Sequence, residues 1–203
     1  MVIPIYNEAD NIEMLHRRLT QTLAQLGRSY EVWYVDDGSA DRSLELLRAV
    51  TRDDPCGGVI ELTRNFGQHA AVLAGFAASR ADIVVTLDGD LQNPPEEIPR
   101  LVAKLEEGYD VVGGWREDRQ DPWFRRAASD VINHLTSFTV GVKMNDYGCM
   151  LRAYRRGVVQ QIIDCDERSS FIPALANSLA KHTAEIEVQH ADRFSGRSKY
   201  ALL

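Results

Sequence analysis

Short apolar runs alternate along the chain with longer stretches in which apolar residues recur every three or four positions. The short runs have the length and β-branched content of buried strands. Five strands are predicted, at VIPI (2–5), EVWYV (31–35), VIEL (59–62), DIVVTL (82–87) and DVVGGW (110–115). The stretches between them have helical spacing, and Gly27 and Gly108 stand where helices are expected to stop.

The alternation of strands with helices of this length predicts an α/β fold whose central sheet contains parallel pairs. Asp41 is expected to cap the helix that contains Leu44 and Leu47. The second half of the chain is less regular. It predicts helices over 122–140 and 166–181 and a strand over 184–190.

Acidic residues follow two of the predicted strands at their carboxyl ends. Asp36 and Asp37 come after the second strand, and Asp88 and Asp90 flank Gly89 after the fourth. Ligands of open α/β sheets bind outside the carboxyl ends of the strands, so both clusters are expected to face one crevice. Asp-Gly pairs are also common in ordinary turns, and that interpretation stays open for each cluster taken alone.

The DGD segment has the chemistry of a site for a hard cation. Like charges this close are costly unless a positive charge lies between them. Mg²⁺ and Mn²⁺ prefer carboxylate oxygens and share their coordination shell with substrate phosphates. Gln92 offers a further oxygen, and Gly89 would let the backbone approach a bulky ligand closely.

Composition excludes several classes of protein. The 203 residues are enough for one domain with a sizeable core, and 44% are hydrophobic. A net charge of −7 argues against a nucleic-acid partner. The three cysteines form no CxxC pair, which indicates neither a zinc site nor a disulfide framework. No apolar run approaches the roughly 20 residues that cross a bilayer.

Several segments, in this order, resemble the family 2 glycosyltransferases of GT-A fold. They are PIYNEADN, YVDDGSAD, TLDGDLQNPPEEI, VVGGWR and RFSGRSKY. The resemblance is greatest to the polyprenyl-phosphate sugar transferases, which include the dolichyl-phosphate mannose synthases. Four further segments are similar to the bacterial undecaprenyl-phosphate 4-deoxy-4-formamido-L-arabinose transferases: RNFGQHAAVLAGF, LQNPPEEIPRLVAK, DYGCMLRAYRR and ERSSFIPALAN.

The resemblance covers the whole chain and implies one GT-A catalytic domain over residues 1–203. It implies a Rossmann-like, mostly parallel central sheet flanked by helices. The membrane helices that follow this domain in the family are expected to be absent from the chain, which is then a soluble fragment. The full-length family acts on the cytoplasmic side of the inner membrane, in lipopolysaccharide biosynthesis.

The resemblance also implies a binding site for the UDP-sugar donor. The base and ribose would contact Pro4, Tyr6 and Glu8, with Asp36 or Asp37 at a polar edge of the base. Asp88 would contact the ribose or the metal shell. The metal, Mg²⁺ or Mn²⁺, would bind Asp90 and Gln92 directly. The phosphates of donor or acceptor would be held by a C-terminal loop that contains Arg193, Ser198 and Lys199.

The acceptor implied by the resemblance is a polyprenyl phosphate such as undecaprenyl phosphate. Arg116 matches the arginine of the family that binds the acceptor phosphate, and Arg125 and Arg126 are further candidates, unless they lie on a solvated helix face. A phosphate monoester is mostly a dianion at pH 7, since its second pKa is about 6. It therefore needs orientation by cations rather than a general base.

Other points stay open at this stage. Asp146 is expected either to orient acceptor or sugar or to stabilise a turn. His69 and His190 are expected to pack or hydrogen-bond rather than to bind a metal. The sugar could be formamido-arabinose, glucose, mannose or an aminosugar, and the nucleotide UDP or GDP. A membrane surface is an expected partner, and a homo-oligomer is left open.

Three other classes of protein share parts of this pattern. A Rossmann dehydrogenase would carry GxGxxG after the first strand, and this chain does not. A nucleotidyltransferase would carry a glycine-rich basic loop there, whereas YNEADN is acidic. A nucleotide-sugar binding domain without catalysis has no distinguishing motif, so only binding without turnover would identify it.

Overall fold

Seven strands form one mixed sheet in the computed structural model, which describes residues 1–116, 145–165 and 171–191. Their order across the sheet is β3-β2-β1-β4-β6-β5-β7. The strands are β1 (Val2–Ile5), β2 (Val32–Asp36), β3 (Gly57–Glu61), β4 (Ile83–Thr86), β5 (Val111–Trp115), β6 (Arg152–Arg155) and β7 (Thr183–Glu187). The predicted mostly parallel α/β sheet is confirmed.

Six α-helices and one short 3₁₀-helix belong to the described part of the chain. The α-helices are α1 (Ile12–Gln25), α2 (Ser43–Thr51), α3 (Gln68–Ala78), α4 (Ile98–Glu106), α5 (Arg156–Asp164) and α6 (Ile172–Leu179), and the 3₁₀-helix is Pro95–Glu97. Gly27 and Gly108, just past α1 and α4, have φ of +64° and +112°. Both adopt the left-handed conformation that ends many helices.

The first half of the sheet is parallel throughout. Strand β1 pairs with β2 and with β4, and β2 pairs with β3, all in the same direction. In the register of β1 and β2, Ile5 lies opposite Asp36. The loops after β1, β2 and β4 therefore leave the sheet at one edge, which we call the carboxyl edge.

Strand β6 runs against its two neighbours and was not predicted from the sequence. Arg152 at its start lies opposite Thr86 of β4 and Gly113 of β5. The strand has only four residues, RAYR, and two of them are arginines, so its pattern does not indicate a buried strand. Because β6 is antiparallel, the segment that precedes it arrives at the carboxyl edge.

Other boundaries differ modestly from prediction. The strand predicted at 184–190 is β7, which begins one residue earlier and ends at Glu187. Within the helix predicted at 166–181, the described part is helical over Ile172–Leu179. The helix predicted at 122–140 lies outside the described residues. The N-cap residue of α2 is Arg42 and not Asp41 as predicted. Asp41, one residue earlier, still accepts a hydrogen bond at Oδ1 from the Ser43 N–H at 2.9 Å.

Apolar side chains cover both faces of the sheet. One buried cluster joins the sheet to α1, α2 and α4 and includes Leu15, Leu47 and Leu101. The other joins it to α3, α5 and α6 and includes Phe76 and Ile162. The sheet is thus sandwiched between two helical layers, which leaves its carboxyl edge for the loops that carry polar residues.

Helix α3 packs closely on β1 because position 75 has no side chain. A Cβ atom built at Gly75 would clash with Cγ1 of Val2, which is fully buried. Gly157, in the first turn of α5, is exposed and has no atom within 4 Å of such a Cβ. An added methyl group would therefore clash at position 75 and meet open space at position 157.

We expect Gly75→Ala to destabilise the protein by about 1–3 kcal/mol, because the added methyl group overpacks the contact between α3 and β1. Gly157→Ala is the matched control and should be neutral or stabilising by up to about 1 kcal/mol, because alanine favours the helix. Urea unfolding of both variants measures the difference. Equal stability of Gly75→Ala and the wild type would contradict this account of the packing.

Candidate functional site

A pocket of about 230 Å³ lies at the carboxyl edge of the sheet. Its walls come from the loops after β1, β2 and β4, from the start of α3 and from the segment before β6. The lining residues are Pro4, Ile5, Tyr6, Glu8, Asp37, Gln68, Asp88, Gly89, Asp90, Gln92, Gly148 and Met150. The structure therefore brings the two acidic clusters together in one crevice, with Asp36 as the exception.

The loops after β1 and β2 are held together by Asn7, which has a φ of +53°. Its Oδ1 accepts hydrogen bonds from the N–H groups of Ala40 (2.8 Å) and Asp41 (3.3 Å). Its own N–H donates to Ser39 Oγ at 2.9 Å. Asparagine tolerates this left-handed conformation better than most residues. These bonds fix the backbone between Tyr6 and Glu8, the first predicted donor contacts.

The two aspartates after β2 have different surroundings. Asp37 accepts hydrogen bonds from the N–H groups of Phe66 (2.7 Å) and Gly67 (2.9 Å), one on each carboxylate oxygen. Asp36 is buried and does not line the pocket, and its Oδ2 accepts a hydrogen bond from the Ser39 N–H at 3.2 Å. Asp37 thus fixes the loop before α3. Asp36 Oδ1 is a buried hydrogen-bond acceptor that has no donor among the described residues.

Asp88 is oriented by Gln68, a residue that was not among the predicted site residues. Gln68, the first residue of α3, donates from Nε2 to Asp88 Oδ1 at 2.7 Å and itself lines the pocket. A Cβ atom at Gly89 would lie 2.5 Å from Ile5 Cδ1, so this glycine lets the loop approach β1 closely. Gln68 could have been suspected only from its place at the start of a helix beside the carboxyl edge.

Asp90 lies in a tight turn at the other side of the pocket. Its Oδ1 accepts a hydrogen bond from the Gln92 N–H at 3.1 Å. Between them, Leu91 is buried at a φ of +63°, which is an unusual conformation for a bulky residue. Such strained residues concentrate at functional sites. The turn presents the Asp90 carboxylate and the Gln92 side chain to the same cavity.

The oxygen atoms of Asp88, Asp90 and Gln92 suit a divalent hard cation. Within residues 1–116, 145–165 and 171–191, no group of three or more His, Cys, Asp or Glu side chains could enclose a metal by itself. Two carboxylates and an amide oxygen beside an open pocket fit Mg²⁺ or Mn²⁺ that completes its shell with substrate phosphates. They do not fit a closed structural site.

Arg116, directly after β5, forms a buried ion pair with Asp146. Nε donates to Oδ2 at 2.7 Å and Nη2 donates to Oδ1 at 3.2 Å, and the two side chains are only 13% and 5% exposed. Burial alone would lower the pKa of Arg116, yet the hydrogen bonds and charge of Asp146 raise it. The charge of Asp88 acts in the same direction. Arg116 therefore stays cationic beside the pocket.

The segment before β6 is held by a second arginine. Arg152 is fully buried, and it donates from Nε to the Cys149 carbonyl at 2.8 Å and from Nη2 to the Asp146 carbonyl at 2.5 Å. The N–H groups of Asn145 and Asp146 donate to the Glu185 carboxylate at 2.8 and 3.2 Å. Arg152 was not predicted as a site residue. Its signal was a lone arginine within the apolar run CMLRAY.

The remaining predicted phosphate contacts lie outside the described residues. They are Arg125, Arg126, Arg193, Ser198 and Lys199. Among the residues that the structure describes, no helix has the length and apolar character to cross a bilayer.

The fold is shared with solved glycosyltransferase structures. The glucosyl-3-phosphoglycerate synthase of Mycobacterium tuberculosis, solved with Mn²⁺, UDP and phosphoglyceric acid, matches at a TM-score of 0.63 and 20% identity, over 95% of this chain and 70% of that one. S. aureus TarS 1-349 in complex with UDP matches at a TM-score of 0.62 and 18% identity, over 91% and 56% of the two chains.

Curated relatives are much more similar in sequence. The undecaprenyl-phosphate 4-deoxy-4-formamido-L-arabinose transferase of Edwardsiella ictaluri is 54% identical over 204 aligned residues, which cover 100% of this chain and 63% of that protein. The transferase of the same name from Pseudomonas paraeruginosa is also 54% identical and is covered to 60%. The chain thus spans about three fifths of the length of the curated relatives it matches.

The family model described as "Glycosyl transferase family 2" matches residues 1–163, most of the chain. The seven-stranded sheet, the pocket at its carboxyl edge and the two relatives agree with that match. The predicted family is therefore confirmed, and this chain belongs to glycosyl transferase family 2.

Proposed function

We propose that residues 1–203 act as one GT-A catalytic domain that transfers a sugar from a UDP-sugar to undecaprenyl phosphate, with inversion at the anomeric carbon. The favoured sugar is 4-deoxy-4-formamido-L-arabinose, which is named in the relatives. One observation carries the proposal. Asp88 and Asp90 line the pocket together with Gly148. Gly148 belongs to the segment before β6, and Asp146 of that segment is hydrogen-bonded to Arg116.

The donor end of the site is formed by the parallel half of the sheet. Pro4 and Tyr6 would pack against the base and ribose, and Glu8 would contact ribose hydroxyls. The spare Oδ1 of Asp36 would accept from the imide N–H of uracil after a small movement of the pocket wall. Asp37 would act by holding the loop before α3, since backbone N–H groups bind both of its oxygens.

Asp90 and Gln92 would hold Mg²⁺ or Mn²⁺, with Asp88 at the edge of its shell. A divalent cation supplies positive charge where the leaving diphosphate becomes more negative. Gln68 keeps Asp88 oriented through its 2.7 Å hydrogen bond. The tight turn at Leu91 fixes the direction of the Asp90 carboxylate, which places these oxygens before the donor arrives.

Arg116 would bind the phosphate of the acceptor lipid. Asp146 occupies Nε and Nη2, which leaves Nη1 without a hydrogen bond to any described residue. An oxygen of the acceptor phosphate would form the new bond to the anomeric carbon. The bond from that carbon to the diphosphate breaks, and UDP leaves with the electron pair. No proton has to be removed from a phosphate dianion, so the step requires no general base.

Asp146 is therefore a positioning residue. Both of its carboxylate oxygens accept hydrogen bonds from Arg116, and Oδ1 also accepts one from the Gly148 N–H at 2.9 Å. A carboxylate engaged in this way is a poor base because its negative charge is already stabilised. Its contribution is to hold the guanidinium plane in one orientation beside the donor pocket.

A turnover panel tests the proposed function. UDP- and GDP-linked sugars, including UDP-4-deoxy-4-formamido-L-arabinose, are each incubated with undecaprenyl phosphate and the divalent cations. We expect UDP donors to react and the formamido sugar to react fastest. Binding of UDP without transfer of any sugar would identify a nucleotide-sugar binding domain instead, and a preference for GDP donors would contradict the assigned base site.

The metal assignment predicts that UDP binds more tightly when Mn²⁺ is present and that Asp90→Ala removes this gain. Loss of a residue that only hydrogen-bonds to a metal ligand typically lowers metal affinity roughly 10- to 100-fold. Loss of a direct ligand should therefore lower it at least as much. Titration calorimetry with and without Mn²⁺ measures it. Asp53→Ala, an exposed site in the turn before β3 with the same change in charge, is the control. Equal UDP affinity with and without Mn²⁺ in the wild type would refute the assignment.

The ion pair predicts non-additive losses of turnover. Arg116→Ala should lower kcat/KM roughly 100-fold, since a hydrogen bond to a charged group contributes about 1.5–3 kcal/mol. Asp146→Asn should lower it less, and adding Asp146→Asn to Arg116→Ala should cost almost nothing further. Thermal unfolding of all three variants checks the fold, because the pair is buried. Independent, additive losses would show that Asp146 has a role of its own, such as that of a base.

The proposed nucleophile predicts the pH profile. Below its second pKa near 6 the acceptor phosphate is a monoanion, so kcat/KM for the acceptor should rise with pH through about 6 and then level off. Arg116 does not titrate in this range because its pKa is raised. The profile should keep its midpoint in Asp146→Asn. A midpoint that moves with this substitution would point to a protein carboxylate as the base.

A further inference from the structure

The backbone N–H and the carbonyl of Asp146 are both bound by charged side chains. The N–H donates to Glu185 Oε1 at 3.2 Å, and the carbonyl accepts a hydrogen bond from Nη2 of Arg152 at 2.5 Å. The preceding N–H, that of Asn145, donates to the other oxygen of Glu185 at 2.8 Å. Hydrogen bonds to ionised groups are stronger than those between neutral groups. The backbone that carries the Asp146 carboxylate is therefore held from two sides.

The two strands that hold Asp146 lie on either side of the strand that leads to Arg116. Arg152 belongs to β6 and Glu185 to β7, and both strands pair with β5, which ends at Trp115. Arg116 and Asp146 are 30 positions apart in the sequence, so no local turn brings them together. The side chains that fix the Asp146 backbone therefore also fix the carboxylate that holds Arg116.

Glu185 is distinguished from its neighbour on the same face of β7. Side chains two positions apart on a strand point to the same side, so Glu185 and Glu187 share a face. Ile186 between them packs against a buried cluster. Glu187 is exposed, and its carboxylate accepts no hydrogen bond from any described residue. Glu185 is half-buried, and each of its carboxylate oxygens accepts a backbone hydrogen bond.

We propose that Glu185 is a positioning residue for the acceptor phosphate. By binding the N–H groups of Asn145 and Asp146, its carboxylate keeps Asp146 against Arg116, and Arg116 is thereby oriented before the acceptor arrives. A side chain that must be ordered during binding lowers the affinity, so this orientation should strengthen acceptor binding. The inference rests on the proposed function and adds to it a residue that acts through Asp146.

The charge of Glu185 separates this role from direct electrostatics. A carboxylate near a phosphate repels it, so the loss of the charge should by itself strengthen phosphate binding. Glu185→Gln also replaces one acceptor oxygen by an NH₂ group, which would face a backbone N–H. One hydrogen bond to the Asp146 segment is then lost, so the positioning role predicts weaker phosphate binding. The two effects have opposite signs.

The test is the Kd of farnesyl phosphate, a phosphate monoester, measured by titration calorimetry in the presence of UDP and Mn²⁺. Glu185→Gln should raise this Kd roughly tenfold, because a hydrogen bond to a charged group is lost from the segment that holds Arg116. The Kd of UDP should stay unchanged, since Glu185 does not line the donor pocket. An unchanged or lower Kd of farnesyl phosphate would overturn the inference.

Glu187→Gln is the matched control, because it removes the same charge from the same face of β7 without removing a hydrogen bond between described residues. It should leave the Kd of farnesyl phosphate unchanged or lower it. Equal rises in Glu185→Gln and Glu187→Gln would overturn the inference. Glu185→Asp keeps the charge but withdraws the carboxylate by one methylene group. It should also raise the Kd, and it provides the same test if Glu185→Gln does not fold.

Combination with Arg116→Ala separates positioning from general damage to the fold. In the Arg116→Ala background, Glu185→Gln should raise the Kd of farnesyl phosphate no further, because the residue that it positions is already absent. Thermal unfolding of the four proteins shows whether each is folded. A rise of the same size in both backgrounds would show that Glu185 does not act through Arg116, and would overturn the inference.

The inference and the proposed function fail in different ways. If the wild type transfers sugar to undecaprenyl phosphate but its Kd for farnesyl phosphate does not depend on Glu185, the inference is wrong and the function stands. If the Kd depends on Glu185 through Arg116 but no sugar is transferred, the positioning role stands and the proposed function is wrong. A wild type that does not bind farnesyl phosphate would overturn the inference, since Arg116 would then hold no phosphate.

Discussion

The buried guanidinium of Arg152 holds the segment on which both halves of the candidate site depend. A charged group in the interior is costly unless it is hydrogen-bonded, and Arg152 donates to the carbonyl oxygens of Asp146 and Cys149. The hydroxyl of Thr86, opposite it on β4, donates to the Met150 carbonyl at 2.5 Å. The backbone over 146–150 is therefore fixed against the end of β4, where it completes the pocket at the carboxyl edge and carries Asp146.

The parallel and antiparallel parts of the mixed sheet place different charged groups at the carboxyl edge. Its parallel half brings carboxylates to the carboxyl edge, which is the edge where open α/β sheets bind their ligands. Its antiparallel strand β6 returns the chain to that edge and brings Asp146 to Arg116 at the end of β5. Acidic oxygens for a cation and a fixed cationic arginine thus lie side by side. This arrangement suits a reaction in which a dianion displaces a diphosphate.

Local sequence predicted the parts of this structure that depend on local periodicity. The strands that end at Asp36 and before Asp88 are apolar runs followed by acidic turns, so both their burial and their direction could be inferred. Strand β6 could not be predicted, because RAYR is polar and becomes a strand only through pairing with β4 and β5. Propensity gives no account of such long-range pairing.

The sequence selected candidate site residues but not their supporting contacts. Motifs indicated Asp88, Asp90 and Arg116, but not which atoms hold them in place. Gln68 is remote from Asp88 along the chain, and their hydrogen bond exists only because α3 starts at the same edge. The difference between Asp36 and Asp37 likewise depends on the loop before α3, which no short motif specifies.

The central claim is that an oxygen of the lipid phosphate replaces the donor diphosphate at the anomeric carbon. A UDP-sugar with heavy oxygen between the anomeric carbon and the β-phosphate tests it directly when the products are weighed by mass spectrometry. The account predicts that all of the label leaves in UDP and that the product is an unlabelled lipid monophosphate sugar. Label retained in the lipid product would show that the carbon–oxygen bond of the donor survives, and would contradict the account.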